Sequence, residues 1–159
     1  MKRASRKLLQ GLLILALLPF LIDLPSGTEA RPEDLLATGA APNASVVTVD
    51  GRRTVVATAG RSSDPTLILI HGFGGSTFGW RQVMEPLAAS GWHVVALDLP
   101  GFGLADKSWS AAYGHATHAR FVLALMDQME IDEAVFAGHS MGGNVVSWVA
   151  ALAPERVRG

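Results

Sequence analysis

Three largely apolar runs, "TLILIHG" (Thr66–Gly72), "WHVVALDL" (Trp92–Leu99) and "EAVFAGH" (Glu133–His139), limit what this chain can fold into more than any other feature. They are apolar along their length rather than at alternate positions, the pattern of strands buried on both faces of a sheet. A strand covered on both faces needs helices on either side, and the segments between the runs have helical spacing. In "FGWRQVMEPLAAS" Trp80, Val83, Met84 and Leu87 fall on one helical face with Gly91 as the stop, although Pro86 counts against a single helix. In "AAYGHATHARFVLALMDQM" Phe121, Leu125 and Met129 recur every four residues, and "GGNVVSWVAAL" begins a further helix. Strands separated by helices of this length predict an α/β fold, a mostly parallel sheet with helices on both faces. Ahead of them "VVTVD" and "RRTVVATA" flank Asp50-Gly51, a two-residue hairpin signal, so the body opens with an antiparallel pair.

The N-terminus has a different composition. Lys2, Arg3, Arg6 and Lys7 precede an apolar run from Leu8 to Ile22, the basic-then-apolar order of an export segment, which sets residues 1–30 apart from the fold. Two readings stay open. "GTEA" before Arg31 has the small residues of a signal-peptide cleavage site, whereas the run, somewhat short of the roughly 20 residues of a spanning helix, also suits an uncleaved anchor. Either way the basic flank stays inside and the body is expected outside the cytoplasm, membrane-anchored or exported. Residues 31–45, rich in Pro, Ala and small polar residues, read as a linker, and 46–159 as the folded body. Thirteen basic against fourteen acidic residues, with no basic block beyond the first seven positions, leave no electrostatic footprint for nucleic acid. The absence of cysteine removes disulfides, thiolate nucleophiles and zinc–thiolate sites. No metal-ligating cluster stands out, and "GFGGS" lacks the lysine and spacing of a phosphate loop, so neither metal nor cofactor is expected.

Gly138-His139-Ser140-Met141-Gly142 is a G-x-S-x-G pattern lying between the third buried run and a helix. That is the setting a nucleophile elbow requires, in which a tight turn lifts the serine into an unusual backbone conformation and glycines let strand and helix approach. The helix N-terminus adds a free N–H and a positive dipole end beside the hydroxyl. Two further glycine-bearing loops follow the other runs, "HGFGGS" (His71–Ser76) and "DLPGFG" (Asp98–Gly103).

In order and spacing these three motifs resemble the α/β-hydrolase superfamily over residues 46–159, the N-terminal part of such a domain. The resemblance implies Ser140 as nucleophile and the backbone N–H groups of Phe73 and Met141 as the oxyanion hole. It gives His71, Gly72, Asp98, Gly101, Gly103, Gly138, His139 and Gly142 motif or structural roles. It implies cleavage of a small-molecule ester or related acyl bond through an acyl-enzyme. An acyltransferase or perhydrolase would use the same serine, and a non-catalytic membrane-tethered fragment is the reading from another class. An aspartate in place of Ser140 would instead suggest an epoxide hydrolase or dehalogenase.

A general base must reach within about 3 Å of the proton it takes. His139 adjoins Ser140 on a turn that points successive side chains apart, and is not the expected base. His93 begins a parallel strand, whereas ligands gather at carboxyl ends. His115 and His118, early in a helix that starts on the active side, are the only tolerable substitutes, a solvated helix face being the plainer reading. The superfamily order runs serine, acid, histidine. "APERVRG" stops where a sixth strand is about to begin, so acid, base and any cap are expected to lie beyond Gly159. The outer edge of the fifth strand is then expected to be unpaired, and residues 31–159 alone to aggregate or to form an expanded, dye-binding state.

Overall fold

The computed structural model describes residues 32–37, 43–108 and 112–159. The expected export segment lies outside them. Among the described residues no helix is long and apolar enough to cross a membrane.

The elements run α1 (Pro32–Ala37), β1 (Ala44–Val49), β2 (Arg52–Ala59), β3 (Thr66–Ile70), a 3-10 turn (Thr77–Trp80), α2 (Met84–Ala89), β4 (His93–Leu97), α3 (His115–Gln128), β5 (Val135–Gly138), α4 (Met141–Leu152) and a 3-10 turn (Pro154–Arg156). The five strands form one sheet in the order β1-β2-β4-β3-β5. β1 pairs antiparallel with β2, and β2 with β4, while β3 runs parallel to β4 and β5. Asp50 and Gly51 both have positive φ, 48° and 74°, as a tight hairpin turn between right-twisted strands requires.

Successive side chains of the parallel strands point to opposite faces, and each face has its own core. Ile68, Ile70, Val95 and Leu97 pack with Phe121, Val122 and Leu125 of α3 and Val145 and Val149 of α4. Leu67, Leu69, Val94 and Ala96 pack with Met84, Leu87 and Trp80 on the other side. Two-sided burial is why these runs are apolar throughout.

Three expectations are corrected. The stretch read as a linker carries α1, with Pro32 at its first position and Glu33 and Asp34 in the first turn, where they complement the helix dipole, and β1 starts at Ala44. The helix expected across "FGWRQVMEPLAAS" is split into a 3-10 turn and α2, and Pro86 sits in the first turn of α2, where a missing N–H costs nothing. The outer edge of β5 is not bare. The Ala134 N–H donates to the Arg156 carbonyl at 3.0 Å, the Arg158 N–H to the Ala134 carbonyl at 2.8 Å, and the Phe136 N–H to the Gly159 carbonyl at 2.9 Å. Ala134 and Val157 form a parallel bridge, so residues 156–159 already lie beside β5 as a strand would.

Candidate active site

Ser140 joins the end of β5 to the first residue of α4 with φ 52° and ψ −115°, a conformation side-chain-bearing residues rarely adopt. Three backbone bonds hold it there: His139 N–H to the Ile70 carbonyl at 3.0 Å, Gly142 N–H to the His139 carbonyl at 2.8 Å, and Gly143 N–H to the Ser140 carbonyl at 2.9 Å. The turn is also jammed between strand and helix. A Cβ on Gly138 would overlap the backbone of Gly142 and Gly143, and one on Gly142 would overlap the Ile70 carbonyl oxygen. Glycine is required at both positions by space, not by dihedral angle.

The loop after β3 faces this turn. A Cβ on Gly72 would stand 2.8 Å from His139 Nδ1 and 3.3 Å from the Ser140 Cβ, so its backbone lies directly against the serine. His71 is buried, and both ring nitrogens are engaged: Nδ1 lies 2.7 Å from the Gly72 carbonyl, and Nε2 is 3.0 Å from the Leu99 N–H. Because Leu99 must donate, Nε2 accepts and Nδ1 carries the proton, leaving His71 no free nitrogen for Ser140. Gly75 N–H closes the turn onto the Gly72 carbonyl at 3.0 Å. Between them Phe73 is 81% exposed. Among the described residues neither the Phe73 nor the Met141 backbone N–H has an acceptor, and Ser140 Oγ has no hydrogen-bond partner.

Asp98 holds the third loop. Its carboxylate accepts from the Thr77 N–H at 2.6 Å and the Leu104 N–H at 2.7 Å, and the Thr54 hydroxyl donates to its carbonyl. Gly103 has φ 52°, and a Cβ there would overlap the Asp98 carboxylate; Gly101, at φ 90°, lies against the Tyr113 ring. This buried carboxylate therefore ties the loop after β4 to the loop after β3.

The remaining histidines separate cleanly. His93 lies at the amino end of β4, near the Thr66 hydroxyl at 3.3 Å, and burial lowers its pKa against a partial offset from Asp64. His115 and His139 are exposed. His118 is the correction: it is 1% exposed rather than on a solvated face, and neither ring nitrogen has a hydrogen-bond partner among the described residues. Burial, followed by the neighbouring His115, His71 and Arg52, pushes its pKa down to about 4. The sequence carried a signal for this, since His118, Phe121, Val122, Leu125 and Met126 fall on one buried helical stripe. The ring cluster around it, Phe102 and Tyr113, had no such signal because it is assembled from loops.

Residues 65–159 match the model of a protein family described by its alpha/beta hydrolase fold. The chain belongs to the α/β-hydrolase family. It is 35% identical over 108 residues to the uncharacterized hydrolase YugF of Bacillus subtilis, covering 68% of this chain and 39% of that protein. A solved structure of a bacterial membrane phospholipase A superposes with a TM-score of 0.71 at 34% identity, over 99% of this chain and 50% of the other. An epoxide hydrolase of Vigna radiata superposes with a TM-score of 0.68 at 26% identity, over 73% of this chain and 37% of that one. The α/β-hydrolase chain thus spans half or less of the length of each of these relatives.

Proposed function

We propose that this α/β-hydrolase domain cleaves a carboxylic ester or related acyl bond through an acyl-enzyme on Ser140. The observation that carries the reading is a pair of N–H groups without acceptors among the described residues, Phe73 on the loop after β3 and Met141 at the start of α4, beside an exposed serine held at φ 52°. Ser140 Oγ attacks the acyl carbon and gives its proton to a base, and the carbonyl π electrons move onto oxygen. The two N–H groups then hold the resulting oxyanion, each such donor contributing roughly 3–4 kcal/mol to the transition state. The alcohol leaves with the proton, and water repeats the sequence in reverse to free the acid.

Three of the histidines do not suit the base: His71 is doubly engaged, His118 is buried and His93 lies at the opposite sheet end. The order serine, acid, histidine that this fold uses puts the acid and the base after Ser140 in the chain. A serine where epoxide hydrolases need an aspartate argues against that chemistry here.

The likeness to a membrane phospholipase A, covering nearly all of this chain, favours a lipid acyl ester as substrate. The basic and apolar order of residues 1–30 supports a body exported or anchored at a membrane; a cytoplasmic pool retaining those residues would contradict it on fractionation. The activity test is hydrolysis of p-nitrophenyl esters and phospholipid vesicles by the whole protein, with and without an added alcohol acceptor. Ester turnover that falls by about 10³-fold or more in Ser140→Ala is expected; release of acyl product only onto the added acceptor would make the protein an acyltransferase instead.

A further inference from the structure

Five aromatic rings, Phe73, Phe102, His71, His118 and Tyr113, form a connected cluster beside the site. The exposed Phe73 ring meets Phe102 edge-on, with centroids 5.4 Å apart and planes at 74°. Phe102 in turn meets His71 at 5.7 Å and the buried His118 at 6.0 Å. Tyr113 stacks against His118 at 6.2 Å, its hydroxyl donating to the Ser108 carbonyl at 2.8 Å and accepting from the Ser108 N–H at 2.6 Å. Phe102 is thus the hub: it touches the loop after β3 through Phe73 and His71, and it touches α3 through His118.

His118 is an unusual choice for the anchoring ring. It is buried, and neither nitrogen has a partner among the described residues, so it packs as an apolar ring, which only the neutral imidazole can do. The titratable and charged groups that face it are His115 on its own helix, His71 from the loop after β3, Arg52 of β2 and the stacked Tyr113. Asp98, on the loop that carries Phe102, has its carboxylate committed to the Thr77 and Leu104 N–H groups. None of those groups offers an anion, so a proton added to His118 creates a buried charge that is relieved only by moving the ring out or letting water in.

We propose that His118 and Phe102 are positioning residues, a ring-to-ring latch that holds the Phe73 loop in its oxyanion-donating position and that acid opens by charging His118. The link to catalysis rests on the Ser140 reading above; the latch itself does not. Protonation takes His118 out of the stack, Phe102 loses its support, and the Phe73 N–H drifts from the position facing Ser140. The neutral ring closes the latch again.

The test uses the whole protein with 4-fluorophenylalanine at position 102, followed by fluorine NMR from about pH 8 to about pH 3, a range that spans the ordinary histidine pKa and the His118 value of about 4. The His118 imidazole resonance of the wild type is followed in parallel, and fluorophosphonate labelling of Ser140 is timed at each pH. The latch predicts one step in the fluorine shift that coincides with the His118 titration, is lost in His118→Leu, and accompanies a several-fold drop in labelling that the variant lacks. A fluorine step that persists in His118→Leu overturns it. So does a wild type in which His118 titrates while the Phe102 signal stays still, an outcome that needs no variant to fold. A step that follows His118 in a protein never labelled at Ser140 supports the latch and overturns the serine reading instead.

Discussion

At Ser140 the backbone sits where glycine is at ease and a side-chain-bearing residue is not, with φ 52° and ψ −115°. Such strain costs about 1–3 kcal/mol, and it is sustained by the three bonds that pin the turn. Ser140→Gly should therefore raise stability by roughly 1 kcal/mol after glycine's extra chain entropy is subtracted, while Ser140→Ala, which keeps the strain, should leave it unchanged. Thermal melts of the two variants against wild type check this, and equal midpoints would mean the turn is relaxed. The neighbouring glycines should differ sharply. Gly142→Ala drives a Cβ into the Ile70 carbonyl and should cost about 3 kcal/mol or more, whereas Gly143, whose nearest neighbour would be the Gly138 carbonyl at 3.6 Å, should accept alanine and gain up to about 1 kcal/mol of helix propensity. The G-x-S-x-G pattern made this much legible, because a tight turn demands small residues at fixed offsets. It could not reveal His118, whose surroundings come from residues distant in the chain, nor that both His71 nitrogens are committed.

The elements were legible where burial alone dictates them. β3, β4 and α3 follow from two-sided apolar runs and from helical spacing. What was missed depends on backbone accounting: a proline that helix geometry admits in its first turn, and a strand edge whose polar groups must find partners. Residues 156–159 meet that need for β5, and Arg156 reinforces them, its guanidinium donating to the Asp132 and Ile131 carbonyls at 2.6 and 2.8 Å and pairing with Asp127 at 2.8 Å. Deleting residues 156–159 should therefore do more harm than the loss of four exposed or half-buried residues suggests. A chain of residues 31–155 is expected to melt earlier and scatter light at lower temperature than one of residues 31–159, because the Ala134 and Phe136 backbone groups would be left open to pairing with another copy. Identical melting and scattering would show that this edge pairing carries no weight.

For the molecule as a whole, His118 couples folding to pH. Its pKa is depressed in the folded chain to about 4 from an ordinary value near 6.5, so the unfolded chain binds the proton more readily. The stability tied to the neutral ring is therefore present above pH 6.5 and lost as pH falls through the window down to about 4, where the deficit reaches about 3 kcal/mol. His93, lowered by burial, acts in the same direction. Denaturant titrations across that window should show a slope that flattens in His118→Leu, and an unchanged slope would remove His118 as its source. The central claim concerns the site that all these parts support: that Ser140 forms the covalent bond to the acyl group. Rapid quenching of the whole protein with excess chromogenic ester, followed by intact-mass measurement and peptide mapping, tests it most directly. One acyl adduct on the peptide carrying Ser140, absent from Ser140→Ala, is the predicted result; an adduct on another residue, or undiminished turnover by Ser140→Ala, would contradict it.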